Sequence, residues 1–254
     1  MNLYSLIKPW LFAMDAERAH NLTLKSLKIA QQLGLSSFVT PASVLDSYHC
    51  CGLHLKNRVG LAAGLDKDGK YIDALAALGF GFLEIGTVTP KPQPGNPFPR
   101  MFRLPQARAI INRMGFNNDG IDACIQRVKQ SSYWQNGGIL GINIGKNATT
   151  PIDMATADYL IGLQKAYPIA SYITVNISSP NTPGLRNLQS RDSLDDLLAW
   201  TLNECDEATR NGQKKPVFLK IAPDLSLEDL DDVVDVSRKD RKSTRLNSSH
   251  ITIS

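Results

Sequence analysis

Five short apolar runs, at residues 59–63, 80–86, 139–144, 172–177 and 217–221, alternate with stretches at 71–78, 119–129, 154–165, 193–209 and 227–236 that read as helices. This alternation predicts a parallel sheet with helical crossovers, because parallel neighbours need a connection long enough to return to the same end. The runs are nearly continuous in apolar residues, as expected of strands with helices on one face and a core on the other. The residues at the end of each run narrow the choice. Gly64-Leu65-Asp66-Lys67, Thr87-Val88-Thr89, Asn143 to Lys146, Asn176-Ile177-Ser178-Ser179 and Lys220 to Asp224 all bring polar or charged groups to a strand end. A doubly wound sheet gathers such groups at one crevice, whereas a (β/α)8 barrel collects them from many strands at its C-terminal face. GLDKDG, after the first run, also lacks the G-x-G-x-x-G spacing of a dinucleotide fold. The expectation is an α/β chain of the TIM-barrel type. It is incomplete, with about five of the roughly eight units a closed barrel needs.

A helical prefix precedes the alternation. Leu3, Leu6, Ile7, Trp10 and Leu11 recur at helical spacing, and Pro9 among them predicts a short or kinked helix. Asp15 is placed to cap a second helix running from Ala16 to about Leu33 and stopped by Gly34. So apolar a pair suits either a hairpin capping a core or a surface dipping into a bilayer interface. The expected domains are therefore a prefix at 1–40, a partial barrel at 41–237 and a tail at 238–254. The tail is polar and basic, breaks the strand–helix pattern within a helix, and reads as foreign or out-of-frame sequence without order.

Composition excludes several classes. Over 254 residues, 43% hydrophobic and 20% charged residues belong to an ordinary globular protein. The net charge of +4 owes part of its excess to the cluster at 238–242, and aromatics are not interleaved with basic residues, so no nucleic-acid partner is expected. Cys50, Cys51, Cys124 and Cys205 form no C-x-x-C pair and have no histidine at ligand spacing; reduced thiols in a cytoplasmic setting and no metal are expected. No run reaches the length of a membrane span, and no cleavable leader is evident, so the chain is expected to start at Met1. His49, His54 and His250 have no chemical context.

Six segments then speak to chemistry: GLAAGLDKDG (60–69), EIGTVTPKPQPGN (84–96), INRMGFNN (111–118), GINIGKN (141–147), NISSPNTPGLR (176–186) and KIAPDL (220–225). In this order they resemble the dihydroorotate dehydrogenases, most closely the membrane-associated, quinone-reducing class, and the likeness includes AERAH (16–20) in the prefix. The resemblance implies an FMN-dependent barrel that oxidises dihydroorotate to orotate in pyrimidine synthesis. It places the catalytic base at Ser179, with Thr182 and Phe116 shaping the path by which its proton leaves. The class using soluble acceptors has cysteine at that position, so serine points to quinone. Flavin contacts are implied at Ala63, Gly64, Lys67, Thr87, Asn143, Asn176 and Lys220. Substrate contacts are implied at Lys67, Asn112, Arg113, Met114, Gly115, Phe116, Asn176 and Asn181.

The residue types suit these roles. Asparagine offers both donor and acceptor to ring imide groups. A lysine by a flavin steadies anionic reduced flavin, and Gly64, without a Cβ, lets a planar ring approach the backbone. His20 and Arg103 are implied near the quinone tunnel between prefix and barrel. A peripheral monomer on the cytoplasmic face of the inner membrane is expected, docked through its N-terminal helices. The likeness ends near Val236, without the later strand ends that hold the FMN phosphate, so FMN binding by the chain as written is expected to be weak. The alternatives are an oxidoreductase using a soluble acceptor, or an inactive fragment acting as a membrane-surface module.

Overall fold

A computed structural model describes residues 3–35, 45–209 and 214–239. Five parallel strands form its centre: β3 (Gly60–Leu61), β4 (Phe82–Val88), β7 (Leu140–Ile144), β8 (Tyr172–Asn176) and β9 (Val217–Lys220), lying side by side in chain order. The crossovers carry α3 (Ile72–Ala76), α4 (Ile121–Gln130), α5 (Ser132–Gln135), α6 (Ala155–Ala166) and α7 (Arg191–Thr209), and α8 (Leu227–Lys239) follows the last strand. All five expected strands and all five expected helices exist. Arg238 and Lys239, expected to open the tail, instead complete the last turn of α8. The rest of the expected tail lies outside the described residues.

Two hairpins were not expected: β1 (Tyr48–Cys50) with β2 (Leu53–Leu55), and β5 (Met101–Leu104) with β6 (Ala109–Asn112), both antiparallel. Their strands are three or four residues long and mostly exposed, so they lack the apolar runs that mark the central strands.

One face of the sheet packs on the helices. Leu83, Ile85, Leu140, Ile142, Ile144, Ile173, Val175 and Leu219 meet Ile121, Val128, Tyr159, Leu163, Leu194 and Leu197 in one continuous core. Each fully buried aliphatic side chain there contributes about 1.5–3 kcal/mol. The other face is layered. Phe82, Tyr172 and Phe218 form an aromatic floor of edge-to-face contacts, with centroids 6.4 and 5.2 Å apart. Glycine makes this possible: a Cβ on Gly60 would lie 2.1 Å from Phe82 Cζ, and one on Gly141 would lie 2.1 Å from Tyr172 Cζ. Above the floor the same face turns polar, with Glu84, Asn143 and Thr174 all buried. A register shift between Gly86 and Val88 breaks the alternation of β4, and it is there that Thr87 joins the polar side chains of this face.

The prefix forms α1 (Leu3–Ala13) and α2 (Ala16–Gln32). Asp15 caps α2 by accepting from the Arg18 N–H at 2.9 Å, and Gly34 follows with a positive φ of 72°. Pro9 sits inside α1 without ending it. The prefix is tied to the loop before β5 through a buried ion pair. Arg100 Nη2 and Nε donate to the two Glu17 carboxylate oxygens at 2.8 and 3.0 Å.

Candidate active site

The ends of β3, β4, β8 and β9, with the second hairpin and the segment after it, border a cavity of about 530 Å3 at the C-terminal edge of the sheet. His20, Ala63, Gly64, Lys67, Thr87, Asn112, Met114, Gly115, Phe116, Asn176, Ser179, Asn181 and Lys220 all border it. These residues are scattered along the chain from α2 to the end of β9, and only the parallel sheet brings them together. Met101, Ser178, Arg186, Ile221 and Pro223 also line it without having been singled out. The signal for Arg186 was present in the NISSPNTPGLR segment, whereas nothing local marks Met101.

Three expected residues stand off the cavity wall. Arg113 is exposed, donates to the Pro99 carbonyl at 3.1 and 3.3 Å, and lies over the Phe102 ring. Arg103 donates to the Met14 carbonyl at 2.9 Å and stacks over Phe12, so it fastens the second hairpin to α1. Asn143 is fully buried behind Thr87 and Asn176.

The loop after β8 separates its two serines. Ser178 donates its hydroxyl to Asn176 Oδ1 at 2.9 Å, and its backbone N–H reaches the same oxygen at 3.1 Å. Ser179 Oγ instead accepts from the Asn181 N–H at 3.2 Å, and among the described residues nothing accepts its own proton. Thr182 Oγ, further along the loop, is buried with no hydrogen-bond partner among the described residues. A buried orphan hydroxyl is costly, so its place in this loop calls for a functional account. Arg186 braces the loop by donating to the Ser178 carbonyl and to Asp224.

The asparagines divide by engagement. Asn176 is saturated: its amide donates to Thr87 Oγ at 2.8 Å and Asn143 Oδ1 at 3.2 Å, and its oxygen serves Ser178. Among the described residues no hydrogen bond engages the side chains of Asn112 or Asn181, which leaves both free to face a ligand. Lys146 of GINIGKN is a loop brace, buried and donating to the Asn147 and Thr150 carbonyls.

Lys67 donates to the Gly64 carbonyl at 2.8 Å. Burial lowers its pKa; the charge of Glu17 opposes this and that of Arg100 adds to it. His20 is held below the ordinary histidine value by burial and by the Lys67 charge, against an opposing pull from Glu17. A depressed folded pKa means that stability is fully present above the unfolded value of 6.5 and is lost as pH falls through the lower folded value. Replacing His20 with glutamine is therefore expected to flatten the decline in Tm between pH 6.5 and 5. The affected slope is at most about 1.4 kcal/mol per pH unit. An unchanged slope would place the titration elsewhere.

A parallel α/β sheet with a polar, lysine-bearing cavity over its strand ends defines an enzyme of the α/β-barrel type. Residues 46–254 match the family described as dihydroorotate dehydrogenase, and the chain belongs to that family. A relative from Polynucleobacter asymbioticus, named dihydroorotate dehydrogenase (quinone), is 60% identical over 235 residues, covering 92% of this chain and 68% of its own. One of the same name from Cupriavidus taiwanensis is 55% identical over 235 residues, with the same two shares. Among solved structures, the crystal structure of DHODH from Eimeria tenella in complex with ferulenol superposes with a TM-score of 0.78 at 35% identity. That match covers 94% of this chain and 67% of the other.

Proposed function

We propose that this site oxidises dihydroorotate to orotate, with Ser179 as base, FMN as the flavin and a membrane quinone as terminal acceptor. The family assignment carries the reaction class, and quinone-dependent relatives at 55–60% identity favour that acceptor. The observation that carries the site is the convergence of Ser179, Lys67, Lys220, Asn112 and Asn181 on one cavity.

The cavity suits a flavin. A Cβ on Gly64 would meet nothing within 4 Å, so the wall there is open to a flat ring, and Lys67 and Lys220 set positive charge beside it. A flavin bound there supplies the acceptor for the hydride. Ser179 takes the proton from the carbon beside the substrate carbonyl while releasing its own, and the N–H of Asn181 steadies the oxygen during the exchange. Thr182 Oγ, buried in the same loop without a hydrogen-bond partner among the described residues, is the relay this reading assigns to the released proton. Asn112 and Asn181 present free amides to the imide edge of the ring. Lys220, which borders the same cavity, would set positive charge against the negative charge that a reduced flavin carries.

The prefix supports peripheral attachment at a membrane. Trp10 is 78% exposed, with Leu6 and Ile7 also exposed on the same helix. Among the described residues no helix is long and apolar enough to cross a bilayer. A face of this kind suits a bilayer interface, and on this reading the chain acts as a monomer at the cytoplasmic leaflet.

The test is an FMN fluorescence titration extended into the millimolar range, followed by quinone-coupled dihydroorotate oxidation at saturating FMN. Saturable quenching is expected, weakened about tenfold by Lys220→Ala, a loss of ~1.4 kcal/mol. No saturable quenching, or an unchanged Kd in that variant, would overturn the flavin site.

A further inference from the structure

Beneath the cavity a hydrogen-bonded chain runs from a buried carboxylate to the catalytic loop. Glu84 lies on β4, 2% exposed. Its two oxygens accept from Asn143 Nδ2 at 2.8 Å and from Thr174 Oγ at 2.9 Å. Because Asn143 turns its donor to Glu84, its oxygen faces the other way, toward Thr87 and Asn176. There it accepts from Thr87 Oγ at 2.5 Å and Asn176 Nδ2 at 3.2 Å. Thr87, having donated downward, accepts from Asn176 Nδ2 at 2.8 Å. With its donor so placed, Asn176 can only offer its oxygen upward, to the N–H and hydroxyl of Ser178. A carboxylate only accepts, whereas an amide works either way round. The Ser178 N–H, which can only donate, holds Asn176 at the upper end, and Glu84, which accepts both of its bonds, holds Asn143 at the lower one.

We propose that Glu84 is a positioning residue: as an obligate acceptor it fixes the amide orientation of Asn143 and, through Thr87 and Asn176, the conformation of the loop that carries Ser179. Glu84 touches neither the cavity nor any reacting atom. Its negative charge is felt by Tyr172 in the layer below, whose hydroxyl is kept protonated first by burial and then by that carboxylate. A buried network with every member oriented is worth more than its separate pairs, which is why one end can govern the other. The consequence for catalysis rests on the reading of Ser179 as base. The orientation itself does not.

The decisive comparison is Glu84→Gln against the charge-conserving exchange Glu84→Gln/Asn143→Asp. In the single variant the amide at position 84 no longer enforces one orientation of Asn143. In the exchange, that amide donates to the new carboxylate at position 143, whose other oxygen still faces Thr87 and Asn176. Hydrogen exchange of the Ser178 amide, measured in the 254-residue chain without ligand, reads the loop directly. Glu84→Gln should speed that exchange at least about tenfold relative to the Ile142 amide in β7. The double exchange should restore most of the protection, and Thr174→Val, which leaves the Asn143 contact in place, should leave it within about threefold. Unchanged Ser178 exchange in Glu84→Gln would overturn the proposal. So would a double variant no better than the single, or, if the single does not fold, a double variant that does not fold either. FMN affinity of the unsubstituted chain separates the two readings: restored loop protection in the double variant, with no flavin binding by the unsubstituted chain, spares Glu84 and sinks the flavin site.

Discussion

Replacing Ser179 with alanine is expected to lower kcat for dihydroorotate oxidation by about 100- to 10,000-fold, the range seen when a positioned acid–base group is removed. KM should change little, because Asn112, Asn181 and the lysines that border the cavity are untouched. The neighbouring serine is the internal control. Ser178 holds its hydroxyl against Asn176 Oδ1, and that oxygen keeps the backbone N–H of Ser178 when the hydroxyl is lost. Ser178→Ala should therefore cost at most about tenfold, the value of one ordinary hydrogen bond. Ser179→Cys should recover part of the rate and carry the rising limb of the pH profile to lower pH, since a thiol loses its proton more readily than a hydroxyl. Steady-state kinetics of the three variants at saturating FMN settles the assignment. Equal losses in Ser178→Ala and Ser179→Ala would remove Ser179 from its role.

The second large effect concerns the joint between prefix and barrel. Arg100 is 5% exposed and meets four residues at once. It forms the paired bonds to Glu17, donates to the Pro94 carbonyl at 2.6 Å and the Asn96 carbonyl at 3.0 Å, and stacks over Phe98 with 4.2 Å to the ring centroid. Truncation to alanine leaves the Glu17 carboxylate buried without its partner and two carbonyls without a donor. A loss of about 3–5 kcal/mol is expected. In a chain of this size that lowers Tm by about 6–20 °C. Arg100→Lys should recover little, because an ammonium cannot make the fork that meets both oxygens and both carbonyls. Glu17→Gln/Arg100→Met should cost less than Arg100→Ala, since it removes the stranded charge. Calorimetry with the three variants checks each point; a drop under about 1 kcal/mol in Arg100→Ala would show that the pair is exposed in solution.

The joint matters to function because Glu17 and Arg100 are also the charges that oppose and reinforce the depressed pKa of Lys67. Glu17 likewise pulls on His20. Both groups border the cavity. Seating of the prefix thus bears on the charge of the site as well as on stability.

Much of the site was legible in the sequence. Each central strand is an apolar run that ends in polar residues, and a parallel sheet turns that local pattern into a spatial rule: strand ends meet on one side. Ser179, Lys67, Thr87, Asn176 and Lys220 follow from it directly. The second hairpin was not legible. Its strands are short and exposed, and it exists because Met101 to Leu104 pairs with Ala109 to Asn112 against α2 and Phe12. Arg113 follows from the same cause. It sits one residue beyond Asn112 on the chain, and the course of the hairpin turns it to Pro99 and Phe102 while Asn112 borders the cavity.

Glu84 shows the limit most clearly. In the sequence it is one charge inside the apolar run at 80–86, and nothing nearby says what it would meet. Asn143 and Thr174 lie 59 and 90 residues further on, and no local pattern joins them. Sequence by itself determined the five central strands, the main helices between them and which residues would stand at those strand ends, because periodicity and turn chemistry act over a few residues. Only the tertiary structure decided which way each amide faces, which serine is left free, and which lysine feels which charge. Those depend on distances of about 3 Å between groups far apart in the chain, where a hydrogen bond or an ion pair is either made or not.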